Sequence, residues 1–339
     1  KKLLNKIFYF HKLKIKFFNP YSIQENLLIK IYKFTTKHAQ FNISLYFRYA
    51  IGILFKRLTF ELVARNIVMP VTAQYKGIDF IARSTNSQFH SIYYDGFRDC
   101  YEPDVFATID QFLPQNGVFF DIGSNWGYHS FIAALEKGAT VYSFEPNRAV
   151  YNDLKRISSS LCCDHLVNAF NIALGDSDGR LEITQTGFES GSASISKDFL
   201  DRNIGRPRPE KLIDRIMLDR MTGRPWKKVI RNKVDVRKLD DVVGSDVKVD
   251  LIKIDVEGAE IQCLLGAVSI LKRSRPKVIF ELHTDALVST EPFSDFFESL
   301  GYKLYIVEPN VPTQECVFRE LAQLQPLTQY NILASVDVL

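Results

Sequence analysis

The stretch Val118-Phe119-Phe120-Asp121-Ile122-Gly123-Ser124-Asn125-Trp126-Gly127 decides the fold. Its first five residues form a short, largely apolar run behind Asn116-Gly117, as a strand covered on both faces requires. Tyr128 to Lys137 then reads as a helix stopped by Gly138. Asp121, Gly123, Asn125 and Gly127 therefore stand at a strand-to-helix junction, where glycines let the backbone turn sharply and approach a ligand. The Gly-x-x-x-Gly spacing is not the Gly-x-Gly-x-x-Gly that brings backbone onto a pyrophosphate. A ligand without phosphates fits better, because Asp121 would repel a phosphate but can accept a hydrogen bond from an amino-acid ammonium.

Working outward, Thr140 to Phe144 reads as a second buried strand closing on Glu145-Pro146, and Arg148 to Ser158 as a second helix. An acid at that strand end can take both hydroxyls of a ribose. Alone, Asp121 or Glu145 could merely cap the following helix; at two consecutive strand ends they favour a nucleoside. Leu166 to Leu174, Val249 to Asp255 and Lys277 to Leu282 repeat the strand theme, with helices over Ala259 to Leu271 and Phe293 to Leu300. Gly179 to Thr184 reads as an extra strand. Strands alternating with helices imply an α/β fold with a parallel sheet and right-handed crossovers.

Before this block the pattern differs. Residues 1–60 hold ten Lys and two Arg against one acid, Glu25, although the whole chain is only +4. Basicity is thus local, and residues 1–66 read as a helical, basic N-terminal extension. Its Lys residues interleave with Phe, Leu and Ile, which suits either a cap packed on the rest of the protein or an interfacial arm making peripheral membrane contact. From Ile67 the rhythm becomes β, with Val71 to Gln74 and Ile78 to Ala82 flanking Lys76-Gly77 as a hairpin. Residues 67–339 read as one catalytic domain, interrupted at about 196–233 by a charged, Pro-rich insertion that is either a surface excursion or a substrate lid. The apolar run Phe41 to Phe55 carries Arg48 and is too short to span a bilayer, so no transmembrane helix is expected. Five cysteines without a Cys-x-x-Cys pair suit a reducing cytoplasm, with peripheral membrane attachment through the basic arm as the variant.

Taken together, Phe120-Asp121-Ile122-Gly123-Ser124-Asn125-Trp126-Gly127, Phe144-Glu145-Pro146-Asn147, Asn171-Ile172-Ala173-Leu174-Gly175, Ile254-Asp255-Val256-Glu257-Gly258-Ala259-Glu260 and Phe280-Glu281-Leu282-His283 resemble the successive motifs of the FkbM family of class I methyltransferases. The resemblance covers about Tyr101 to His283. It implies a Rossmann-like, seven-stranded, mostly parallel sheet with one reversed strand near Tyr330 to Val336. It also implies that S-adenosyl-L-methionine is the cofactor, with Gly123, Asn125 and Gly127 lining it, Glu145 holding its ribose, and Asn171 to Ala173 near adenine.

Methyl transfer from a sulfonium needs an acceptor oxygen held in line with the methyl group and a base for its proton. Asp255 and Glu257 follow the strand Val249 to Ile254, and His283 closes the next one; these three are the catalytic candidates, with His283 as base and Asp255 orienting it or the acceptor. Glu260 suits a favourable helix N-terminus, and His129 a structural role. A divalent ion on Asp255, Glu257 and His283 is the weaker alternative, since imidazole suits Mg poorly, and no metal is assigned. Methyltransferases of base amino groups usually carry an Asn/Asp-Pro-Pro-aromatic turn where this chain has Asp255-Val256-Glu257-Gly258, so DNA is not an expected partner. The resemblance implies O-methylation of a hydroxyl on a glycan or small-molecule acceptor, a sugar of a glycan or glycolipid first and a polyketide-like metabolite second. Two rivals stand apart: a nicotinamide-dependent oxidoreductase, disfavoured by the glycine spacing, and a non-catalytic membrane- or RNA-binding module on the same scaffold.

Overall fold

The computed structural model describes residues 70–75, 78–83, 102–186, 229–282, 291–310, 315–321 and 330–338. The basic segment 1–66, most of the insertion (187–228) and His283 lie outside the described residues.

Thirteen strands are present among the described residues, and eight form one sheet. Strands β3 (Val118–Ile122), β4 (Thr140–Phe144), β5 (Val167–Phe170), β9 (Leu251–Ile254) and β10 (Lys277–Leu282) run parallel in the order β5-β4-β3-β9-β10. Beyond β10 come β13 (Tyr330–Ser335), reversed, then β11 (Lys303–Asn310) and a second reversed strand, β12 (Glu315–Glu320). The expected reversed strand near Tyr330 is therefore in place. The expected count of seven is corrected to eight, because β12 folds back as a hairpin on β11 and adds an outer edge.

Both faces of the sheet are covered, which is why its parallel strands read as continuous apolar runs. Phe119, Val141, Leu251 and Ile279 pack on one side with helices α1 (Pro103–Phe112), α2 (Tyr128–Lys137) and α3 (Arg148–Ser160). Phe120, Phe144, Ile252, Ile254 and Phe280 pack on the other with α4 (Leu239–Val242), α5 (Glu260–Leu265), α6 (Val268–Ser274) and α7 (Glu291–Ser299). The hairpin of β1 (Pro70–Tyr75) and β2 (Ile78–Arg83) is as expected, and it packs on the first side. Tyr75 donates to Glu136 Oε1 at 2.6 Å, and Phe80 stacks on Trp126 with ring centroids 6.1 Å apart. Trp126 is 1% exposed and in contact with Tyr128 and Phe131 as well, so it fills the core behind the glycine loop.

Three further expectations change. Leu166 to Leu174 is two strands: β5 stays in the main sheet, while β6 (Ala173–Leu174) leaves it and pairs in parallel with β8 (Val229–Arg237). The divergence occurs at Asn171, whose side-chain amide donates to the carbonyls of Glu145 (2.8 Å) and Pro146 (3.0 Å) and draws the chain off the edge. The extra strand expected at Gly179 is β7 (Gly179–Thr186), antiparallel to β8, so the insertion ends before Val229 rather than at 233. Ala259 to Leu271 is two helices because Gly266 breaks it: a Cβ there would run into the carbonyl of Gly175, so the close approach of the small sheet requires glycine. Helix α1 and the β11–β12 hairpin are elements the sequence reading missed. No helix among the described residues is long and apolar enough to cross a membrane.

Candidate active site

The carboxyl edge of the parallel strands gathers the predicted residues except Ala173, which lies in the small sheet, and His283, which lies outside the described residues. At the end of β3, Asp121 is 1% exposed, and its Oδ2 accepts a hydrogen bond from Ser130 of α2 at 2.5 Å. Ser130 Oγ also lies 2.7 Å from Ser143 Oγ, and Ser143 is the register partner of Asp121 on β4. The other carboxylate oxygen, Oδ1, is buried with no hydrogen-bond partner among the described residues, as is the hydroxyl of Ser124 in the loop above. Burial pushes the Asp121 carboxyl up, an effect partly offset by the Lys253 ammonium and Ser130.

The loop is built for close approach. Gly123 has φ +77°, and a Cβ there would strike the backbone carbonyl of Asp255. Gly123 and Ser124 both donate to the carbonyl of Phe144 at 3.0 Å, which seats the loop against the end of β4. Gly127, φ +95°, has no space for a Cβ against the Phe131 ring. Asn125 between them is also left-handed, at φ 51°.

Glu145 closes β4 and is 8% exposed. Its Oε2 accepts from the backbone of Asn125 at 3.0 Å and its Oε1 from that of Asn147 at 2.7 Å, so one carboxylate ties the glycine loop to the start of α3. Burial pushes its pKa from 4.5 up to about 7, although those two amides act to lower it. The capping role weighed for Glu145 belongs to its neighbour: Asn147 is the N-cap of α3, its side chain accepting from Ala149 at 3.1 Å. Asn171 reaches the same corner through its bonds to the Glu145 and Pro146 carbonyls. Ala173, by contrast, is buried in the small sheet among Ile183, Val234 and Val236.

Further along this edge, Asp255 follows β9, its backbone donating to Ile122 at 3.0 Å. Glu257 sits in the next turn at φ 56°, ahead of Gly258. Glu260 behaves as a helix-start residue, its Oε1 accepting from the Gly258 backbone at 3.0 Å. A small cavity opens at this edge, lined by Glu102, Lys253, Asp255, Glu281 and Asn331 among others. Glu102 precedes α1 in a left-handed conformation (φ 46°), and Asn331 of β13 is the register partner of Glu281 on β10. Asn331 is anchored to Asp104 at 2.6 Å. His129 lies 3.4 Å from Glu102 without a hydrogen bond at Nε2, and burial with the nearby Lys253 charge holds its pKa well below the usual range. Its ring also packs edge-on against Tyr128, with centroids 4.8 Å apart.

The cofactor side fits S-adenosylmethionine on this structure's own features. Asp121 Oδ1 is a buried acceptor awaiting a donor, as the ammonium of a methionine moiety would be, and the buried Ser124 hydroxyl is a donor beside it. Glu145 closes the neighbouring strand with a buried carboxylate, and Gly123 leaves no side chain between them. Residues 121–304 match the methyltransferase FkbM domain. The chain belongs to the FkbM methyltransferase family. The matched stretch is a methyltransferase domain, a class whose methyl donor is S-adenosylmethionine. Similar proteins include the methyltransferase sdnD of Sordaria araneosa, 27% identical over 45% of this chain and 61% of that one. The AMB antimetabolite synthetase AmbE of Pseudomonas aeruginosa is 25% identical over 70% of this chain and 11% of that one. The chain thus spans less than two thirds of the length of each of these curated relatives. The crystal structure of the methyltransferase FkbM from Methylobacillus flagellatus KT shares 14% identity, covering 93% of this chain and 60% of that one with a TM-score of 0.41.

Sequence reasoning missed Ser130, Ser143, Lys253, Glu102 and Asn331. Lys253 left a signal: a lysine inside an otherwise apolar central strand, two residues before Asp255. Glu102 and Asn331 left none, since only the sheet order brings residues so far apart to one edge.

Proposed function

We propose that this FkbM-family chain is an O-methyltransferase whose acceptor is a hydroxyl of a sugar in a glycan or glycolipid. The observation that carries the reading is the cavity beside Asp255. Three carboxylates, Glu102, Asp255 and Glu281, and the Asn331 amide line this opening together with the Lys253 ammonium, so that carboxylates are in excess. Such a set accepts hydrogen bonds from vicinal hydroxyls, and it would repel a phosphate or carboxylate. In this reading Asp255 orients the acceptor hydroxyl, and His283, which follows β10, takes its proton. The sulfonium donor loses its charge as the methyl leaves, so burial of Asp121 and Glu145 around it also suits the step by excluding water. Glu257 belongs to the same edge as a further polar contact for the acceptor. The basic segment 1–66 would serve as an arm at a membrane surface, on the cytoplasmic side, bringing the site to a lipid-linked glycan.

A second reading, methylation of a small metabolite hydroxyl, draws support from the name of one relative, an antimetabolite synthetase. The test is transfer of isotope-labelled methyl from S-adenosylmethionine onto panels of neutral sugars, sugar phosphates, uronic acids and polyketide-like phenols, with NAD as the control ligand in calorimetric titration. Label on neutral sugars supports the first reading, and label on phenols alone replaces it with the second. Labelling confined to anionic sugars would overturn the role given to the cavity carboxylates.

A further inference from the structure

The buried polar row on the α1–α2 face of the sheet contains a cation that neither the glycine loop nor the ribose site requires. Lys253 lies on the central strand β9, with Asp121 on β3 and Ile279 on β10 as its register partners, and is 4% exposed. Its ammonium donates to Asp255 Oδ2 at 3.1 Å and lies 3.9 Å from Asp121 Oδ1. It also forms part of the cavity wall beside Glu102 and Glu281. Burial alone would strip its proton, but the carboxylates of Asp255, Asp121 and Glu102 outweigh that and hold its pKa above the usual lysine range. Two other titratable groups lie near it: His129 of α2, whose pKa burial and the Lys253 charge lower, and Glu281, a further carboxylate of the cavity wall.

We infer that Lys253 is a positioning residue: its ammonium is the counter-charge shared by Asp121, on the cofactor side, and Asp255, on the acceptor side. The inference rests on the assignment of these two sides made above. Two carboxylates at neighbouring strand ends, Asp121 buried and Asp255 about one-fifth exposed, repel each other, and the buried member of such a pair takes up a proton unless a cation lies between them. A proton on Asp121 would block the charge partner of the methionine ammonium. Asp255 is held in place by the same ammonium, which donates to its Oδ2. A lysine suits the place because its point charge on a slim stem fits between two strands.

The test needs no acceptor. S-adenosylhomocysteine is titrated calorimetrically into the full chain at about pH 8.5, where Glu145 is ionised, in Bicine and in Tris, whose ionisation heats differ. Wild type is expected to take up only the fraction of a proton that the ligand's own amine lacks at this pH, and this is the reference. Lys253→Met is expected to bind about 10- to 100-fold more weakly and, relative to wild type, to release about one further proton per ligand bound, read as a buffer-dependent heat. Lys253→Arg, which keeps the charge, should recover most of the affinity and lose the proton release. Should Lys253→Met not fold, Lys253→Gln repeats the measurement with a side chain that can still donate to Asp255, and the same proton release is expected. A neutral variant that binds without releasing a further proton relative to wild type overturns the inference, because loss of packing alone moves no proton. Wild type that fails to bind the ligand would instead contradict the cofactor assignment, and the sugar reading fails separately on the acceptor panel.

Discussion

The two halves of the sheet edge were assembled in different ways. On the cofactor half, Asp121, Gly123, Asn125 and Glu145 come from two consecutive strand–loop units, and each is held by short-range contacts such as Asn125 and Asn147 donating to Glu145. On the acceptor half, Glu102, Lys253, Glu281 and Asn331 come from four separate parts of the chain and meet only because β9, β10 and β13 are neighbours below the start of α1. The first half depends on backbone conformation and tolerates little. The second depends on side-chain chemistry and can vary with the acceptor while the fold stays the same. Cofactor binding and acceptor binding should therefore separate under mutation.

The largest expected effect is on the cofactor half. Gly123→Ala forces a Cβ onto the Asp255 carbonyl at a φ of +77°, so the loop must move. Affinity for S-adenosylhomocysteine should fall more than about 100-fold, with a lowered melting temperature. A calorimetric titration checks it, and near-normal affinity would mean the loop is not the cofactor seat. Next, Glu145→Ala should weaken the same affinity about 10- to 100-fold, since a charged hydrogen-bond acceptor for two ribose hydroxyls is lost.

Glu145 also gives a pH signature. With its folded pKa raised from 4.5 to about 7, the folded apo protein holds a proton that the unfolded chain releases across that window. Its contribution therefore lowers apo stability as pH rises from about 4.5 to about 7. Ribose hydroxyls favour the ionised carboxylate, so cofactor affinity should climb as pH rises through about 7. Titrations across this range test both slopes, and Glu145→Gln should flatten the affinity curve. A curve unchanged by Glu145→Gln would assign the proton to Asp121, whose carboxyl burial also pushes up.

On the acceptor half, His283→Ala should spare S-adenosylhomocysteine binding and lower kcat about 100-fold or more. Equal loss of binding and turnover would return His283 to a structural role. The smallest effect is expected from Asn331→Ala, which removes one amide from the cavity and its bond to Asp104. Acceptor KM should rise a few-fold, roughly what one neutral hydrogen bond contributes, with cofactor affinity unchanged. A matching fall in cofactor affinity would show that the two halves do not separate.

Reading along the chain located β3, α2, β4 and β10 at their observed limits because each is a short apolar run bounded by glycine, proline or a charged end. Where an element depended on a neighbour, the reading failed. The helix expected from Ala259 to Leu271 breaks at Gly266 because the Gly175 carbonyl approaches there, and β5 ends where Asn171 bonds to the Glu145 and Pro146 carbonyls. Neither contact has a local signature.

What the sequence alone determined is the cofactor half: a strand, a glycine turn and an acid at each of two strand ends are local patterns, and local backbone geometry follows from residue type. Only the tertiary structure decided the acceptor half. The charge neighbours of Lys253, and the cavity that Glu102 and Asn331 help to line, depend on which strands lie side by side. Strand order is set by the burial of two apolar faces summed over the whole sheet, which no single stretch of residues records.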